Sequence, residues 1–284
     1  MPLLTQPPDP HPRKPALALP AGACDCHFHL FGPAERYPVD PATAYVSADA
    51  LPETYFALQD VLGLERGVLV SGGAYGRDYR LLADVLQRFP ERLRGIVLPP
   101  EDLSGGEMQR LDALGVRGMR FISARHPGNL PRLDPQLAQR AFDTVGWQVH
   151  FYPRGELKAM APRLLALPNT VVLDHFGGID ADAAEDLHVL LGMLDSGRVW
   201  VKLSGPMRCT RSDFPYPALT PIARRLVAHA PERLLWGSDW PHVNMNDRAM
   251  PNDGDLVDLL AEWIPDAALR ETILVDNPRA LFRF

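Results

Sequence analysis

Cysteine is scarce in this 284-residue chain: Cys24, Cys26 and Cys209 are its only three. So few exclude a disulfide framework, and Cys24 and Cys26 read as small hydrophobes on the strand face opposite the neighbouring histidines. No apolar run approaches the roughly 20 residues that span a bilayer. No run of five or more basic residues occurs, and the net charge is -6. Neither nucleic acid nor membrane is therefore expected as a partner. The chain starts with a proline-rich polar stretch, not with charged residues and an apolar run. No secretory signal is read, and a cytoplasmic, reduced setting is expected. A glycine-rich phosphate loop is also missing: Gly72, Gly73 and Gly76 do not form GxGxxG. That absence argues against an open dinucleotide-binding sheet.

What the chain does have is apolar residues, 46% of the total and enough for one large core. Prolines at 2, 7, 8, 10, 12, 15 and 20 mark residues 1–20 as an extended leader unfit for regular structure. Residues 21–284 read as a single domain. A strand beginning at Cys24 is followed by a long loop over 31–52 and a helix that Gly63 stops. Seven further apolar strands follow, at Arg66–Ser71, Leu93–Leu98, Val116–Ile122, Trp147–Tyr152, Thr170–His175, Val199–Ser204 and Leu234–Ser238. Between them lie helices at Tyr79–Phe89, Gly106–Leu114, Pro135–Val145, Glu156–Leu167, Ala181–Leu194 and Leu219–Ala230. Asp255–Trp263 and Leu269–Val275 supply the closing helices. Apolar strands alternating with helices predict a parallel sheet covered on its outside, and eight such units predict an α/β fold, the (β/α)8 TIM barrel.

Such a barrel carries its chemistry at the C-terminal ends of its strands. Those ends hold His27 and His29, Ser71, Arg120, His150, His175, Lys202 with Ser204, and Asp239. On an extended chain His27 and His29 share one face. Four of the nine histidines fall at these ends; the others lie in the leader, loops or helices, and of those only His242 is near Asp239.

This ordered set, with an HxH on strand one, histidines on strands five and six and an aspartate on strand eight, resembles the amidohydrolase superfamily. The phrases CDCHFHLFGP, LDHFGG, VKLSG and LLWGSDWPH are similar to its amidohydrolase-2 branch, which contains pyrone-dicarboxylate, sugar-lactone and muconolactone hydrolases. The resemblance implies that Asp239 is the general base toward water and that His27, His29 and His175 polarise the scissile carbonyl or bind a metal. It implies that Arg120 grips a substrate carboxylate, with Arg125 nearby as a second arginine. The branch's strand-five tyrosine falls at His150 here, with Tyr152 two residues on.

A lactone carbonyl needs an electrophile at its oxygen, a deprotonated water at its carbon and a grip on the rest of the substrate. The histidines and Asp239 supply the first two. Arg120, Arg125 and Lys202, with Ser71, His150 and Tyr152, are candidates for the third, and cations on an acidic protein favour a small carboxylated lactone. Metal chemistry is left open. His27, His29, His150, His175 and Asp239 would suit a single zinc or manganese ion, whereas the resemblance to the branch's lactonases implies a site that works without one and other members of the branch bind a metal. Two other functions also remain open: a zinc-dependent decarboxylase of the same superfamily, and an inactive barrel that only binds.

Overall fold

The computed structural model describes residues 2–284 apart from Asn129, Ala184 and Glu185. Its centre is a sheet of eight parallel strands in chain order: β1 (Cys24–Phe28), β2 (Arg66–Val70), β3 (Leu93–Val97), β4 (Val116–Ile122), β5 (Gln148–Tyr152), β6 (Val171–Leu173), β7 (Val199–Ser204) and β8 (Leu234–Gly237). The ends of β1 and β8 meet through two backbone hydrogen bonds, His29 N–H to the Trp240 carbonyl and Asp239 N–H to the His27 carbonyl, each 2.8 Å. The expected TIM barrel is the observed fold. Gly237 is obligatory at this seam, since a Cβ there would lie 2.7 Å from the His27 backbone nitrogen.

Local chemistry sets the helices. α1 (Pro52–Leu62) starts with proline in its first turn and ends at Gly63 with φ 80. α3 (Gly105–Ala113) is capped by the Ser104 side chain, which accepts from the Glu107 N–H. Asp134 caps α4 (Pro135–Val145) and Asn252 caps α8 (Asp253–Trp263). α2 (Arg80–Arg88), α5 (Leu157–Leu165) and α7 (Leu219–His229) complete the ring together with α6, which runs over Leu187–Leu194. The longer helix expected from Ala181 includes Ala184 and Glu185, which lie outside the described residues; Asp180 and Ala183 form a turn instead.

Outward strand residues such as Phe28, Met119, Val149 and Trp236 join the helices in one large core. A smaller cluster of Val68, Val70, Ile96, Val172 and Leu235 fills the barrel interior, and Phe282 packs against it from the last helix, Asn277–Phe282. Cys24 and Cys26 belong to this interior cluster, contrary to expectation. The reason is a bulge: Asp25 pairs with Gly67 and Phe28 with Leu69, so Cys26 and His27 together oppose Val68. A bulge lets two successive side chains take nearly the same side, and alternation then resumes at Phe28.

Residues 2–20 are largely exposed, apart from buried Thr5, and make one short pairing. Leu3–Leu4 runs parallel to Tyr45–Val46, through Leu3 N–H to the Ala44 carbonyl and Thr5 N–H to the Val46 carbonyl. The stretch between Pro2 and Pro7 keeps its amide donors and so can pair. Arg13 then bridges Asp255 and Asp258 on α8.

Candidate active site

Three irregular backbone positions bring the polar side chains together. The β1 bulge turns His27 inward and the Asp25 carboxylate outward, where it accepts from His27 N–H, Ser238 N–H, Ser238 Oγ and the Tyr55 hydroxyl. Burial raises the Asp25 carboxyl to about 6 against the pull of those donors. At the ends of β6 and β8 the chain takes left-handed conformations at His175 (φ 51) and Asp239 (φ 66). Asp174 and His175, adjacent in sequence, can thus both serve the site.

The result is a convergence on one oxygen. Asp239 Oδ1 lies 3.7 Å from His27 Nε2, 3.7 Å from His29 Nε2 and 3.8 Å from His175 Nε2, all beyond hydrogen-bond length. Both Asp239 Oδ1 and His27 Nε2 are buried with no hydrogen-bond partner among the described residues. The other carboxylate oxygen, Oδ2, accepts from Arg208 Nε. Burial alone would push the Asp239 carboxyl up, but Arg208 and the three histidines outweigh it and hold the group far below the usual range. Burial lowers all three imidazoles: His29 to about 4, His175 to about 3 and His27 well below its ordinary value.

A second carboxylate sits beneath. Asp174 is fully buried, accepts from Arg120 Nε at 2.8 Å and lies 3.1 Å from Lys202 Nζ and 3.2 Å from His27 Nδ1. Burial would raise its pKa, yet Lys202 and Arg120 hold it well below the carboxylate range. His29 donates from Nδ1 to the Val70 carbonyl at 2.9 Å, and His175 Nδ1 pairs with Ser204 Oγ at 3.0 Å.

Above this floor opens a cavity lined by His29, His175, Asp239, Arg120, Tyr152 and Arg208. It continues into an outer chamber that carries Arg154 and Arg248. Of the residues expected at the site, His27, His29, His175, Asp239, Arg120 and Tyr152 come together. The others do not join them. His150 bonds Gln148 Oε1 at 3.1 Å, with its ring 6.1 Å from that of Phe282. It sits at the level of Val172, one layer below, and Tyr152 reaches the cavity in its place. Arg125 is exposed, with its guanidinium on Glu156 and the Gly155 carbonyl. Ser71 lines a separate crevice with Leu30 and Tyr75. Lys202 is buried under His27 and away from the cavity wall. His242 is engaged with Asp253 at 3.0 Å. Asp174, Arg208 and Tyr45, which also lines the cavity, were not anticipated.

The amidohydrolase family profile matches residues 24–284. The chain belongs to the amidohydrolase family. It is 37% identical to 4-sulfomuconolactone hydrolase of Rhizobium radiobacter, over 94% of this chain and 92% of that one. It is 36% identical to 2-pyrone-4,6-dicarboxylate hydrolase of Comamonas testosteroni, over 96% and 93%. A solved apo structure from Agrobacterium tumefaciens superposes with a TM-score of 0.84 at 31% identity, covering 95% of this chain and 98% of that one. Members of a family that often binds metal invite a test of the donor atoms. One ligand atom each from His27, His175 and Asp239 lies within 4.8 Å of the others, a spacing able to hold one ion. His150 adds no ligand, so the larger donor set expected from the sequence is not assembled. The spacing suits a cation, but the surroundings of His27 do not: metal-bound histidines donate their second nitrogen to an acceptor, and here, of the two groups beside it, Lys202 Nζ at 3.1 Å meets hydrogen-bond geometry and Asp174 Oδ1 at 3.2 Å does not.

Proposed function

We propose that this protein is a lactone hydrolase acting on a small carboxylated lactone. The observation that carries the reading is the convergence of three imidazole Nε2 atoms on the unpaired Oδ1 of Asp239, on the floor of a cavity with arginine in its wall. Asp239 is ionised, so it can take a proton from water as the oxygen adds to the carbonyl carbon. Charge developing on the carbonyl oxygen is met by an N–H of the imidazole cluster, a role that excludes His29, whose hydrogen lies on Nδ1. As the ring C–O bond breaks, the same proton passes from Asp239 to the departing alkoxide. Arg120 keeps its remaining guanidinium nitrogens beside the cavity while Nε is tied to Asp174, and this presents a fixed cation to a carboxylate. The lactone-acting relatives support the same reading. No step of this mechanism runs through a metal ion.

The test is a panel of carboxylated lactones, uncharged lactones and matched carboxylic acids, followed by proton release and by carbon dioxide release. Ring opening restricted to the carboxylated lactones is expected. Carbon dioxide release without hydrolysis, or a preference for uncharged rings, would overturn the proposal.

A further inference from the structure

His27 is gripped from behind by a lysine. Lys202 Nζ, with its side chain wholly buried, lies 3.1 Å from His27 Nδ1 and 3.1 Å from Asp174 Oδ1. An ammonium group donates only, so the Nδ1 facing it must accept and carries no hydrogen. A neutral imidazole has one N–H, which then sits on Nε2, the atom facing Asp239 Oδ1. Asp174 Oδ1 is the rival partner at 3.2 Å, but it is the more distant of the two and its angle at Nδ1 falls outside hydrogen-bond geometry, which Lys202 Nζ meets. His29 is arranged the other way. Its Nδ1 donates to the Val70 carbonyl, which can only accept, and its Nε2 is left bare. The two histidines of the HxH pair are thus opposite tautomers aimed at one point.

We propose that Lys202 is a positioning residue that fixes His27 as an Nε2–H donor toward the reacting oxygen and, through the same bond, makes His27 unfit to ligate a metal. Ligation through Nε2 would need that nitrogen bare and the hydrogen on Nδ1, pointing at an acceptor. Lys202 occupies that direction. With Lys202 gone, Asp174 is the natural acceptor for Nδ1–H, and a carboxylate–histidine–metal arrangement becomes possible. The identity of the oxygen rests on the hydrolytic reading above; the tautomer and the effect on metal do not.

The first measurement uses the intact wild-type protein. Nitrogen-15 NMR of histidine-labelled, chelator-treated protein, assigned by comparison with His27→Gln, should give a pyridine-like Nδ1 and a pyrrole-like Nε2 for His27. The pattern should be reversed for His29. A pyrrole-like His27 Nδ1 would overturn the proposal, whether or not Lys202→Met folds. The second measurement is zinc titration by calorimetry. Lys202→Met should bind zinc about ten- to a hundredfold more tightly than wild type; equal affinity in both would also overturn it. Neither readout involves a substrate. Failure of the lactone panel with the tautomers as stated would therefore count against the hydrolytic reading alone.

Discussion

Gly205 follows directly on β7 and has φ +54, in the left-handed region. A Cβ added there would meet His175 Nδ1 at 2.6 Å and Asp239 Oδ2 at 3.2 Å. Gly205→Ala therefore acts on two groups of the site at once. Left-handed backbone costs a residue with a Cβ about 1–2 kcal/mol, and loss of the His175–Ser204 hydrogen bond adds about 1 kcal/mol. A total of about 2–3 kcal/mol lowers Tm by roughly 4–10 °C in a domain of this size. The larger effect falls on turnover. To clear the new methyl group the His175 ring must move by about 1 Å, a displacement that can cost about a hundredfold in rate. Gly192 supplies the control: it lies within α6, with nothing inside 4 Å of its Cβ position. Gly192→Ala should gain about 0.5–1 kcal/mol through helix propensity and leave activity alone. Thermal melts and kcat/KM on whichever lactone is turned over would be compared for the three proteins. A folded Gly205→Ala protein with kcat/KM within about threefold of wild type would show that the packing of His175 against Gly205 does not set the site.

Asp239→Asn should keep the barrel and lose about 10²–10⁴-fold in kcat, the usual contribution of a general base, because an amide cannot take the proton; near-normal turnover would remove Asp239 from that role. Arg120→Met should cost about ten- to a hundredfold more kcat/KM on a carboxylated lactone than on an uncharged analogue, and equal losses would mean that Arg120 only holds Asp174. Stability should fall with acid from about pH 6.5 downward. His29 and His175 protonate only near 4 and 3 when folded but at their ordinary value of 6.5 when unfolded, so below pH 6.5 the unfolded chain binds more protons. Each contributes a slope of about 1.4 kcal/mol per pH unit in that window. Asp25 partly offsets this, since its folded carboxyl, raised to about 6 from 3.8, binds a proton more readily than the unfolded one. Denaturant unfolding that is flat between pH 6.5 and 4.5 would contradict the burial of neutral imidazoles.

The barrel was legible because each strand is a short apolar run and each helix carries its own stop and start, as at Gly63, Ser104 and Asp134. The layers inside it were not. His150 and His175 look alike in sequence, since both lie within the last four residues of an expected strand. In the barrel His150 pairs with Arg120 and Val172, while His175 lies beyond the last paired residue of β6. Two residues along a strand separate one layer from the next, and that offset sets a ligand position apart from a buried core histidine. Arg120 shares the level of His150 yet reaches Asp174 and the cavity because its side chain is long.

The bulge at Cys26–His27 is the hardest feature to read in advance. Strict alternation puts His27 on the face of Asp25 and opposite Cys26; the extra residue turns Cys26 and His27 to one side and leaves Asp25 facing Tyr55. Alternation does hold for Lys202 and Ser204, two apart on β7, and each answers a different histidine: Ser204 meets His175, and Lys202, one layer lower, meets His27. A lysine read from the sequence as a substrate contact thus lies behind the catalytic face. Its place there follows from the bulge, because only a His27 turned inward brings Nδ1 down to the level of Lys202 while Nε2 stays with Asp239. One inserted residue on β1 therefore decides both which His27 nitrogen faces Asp239 and which faces Lys202.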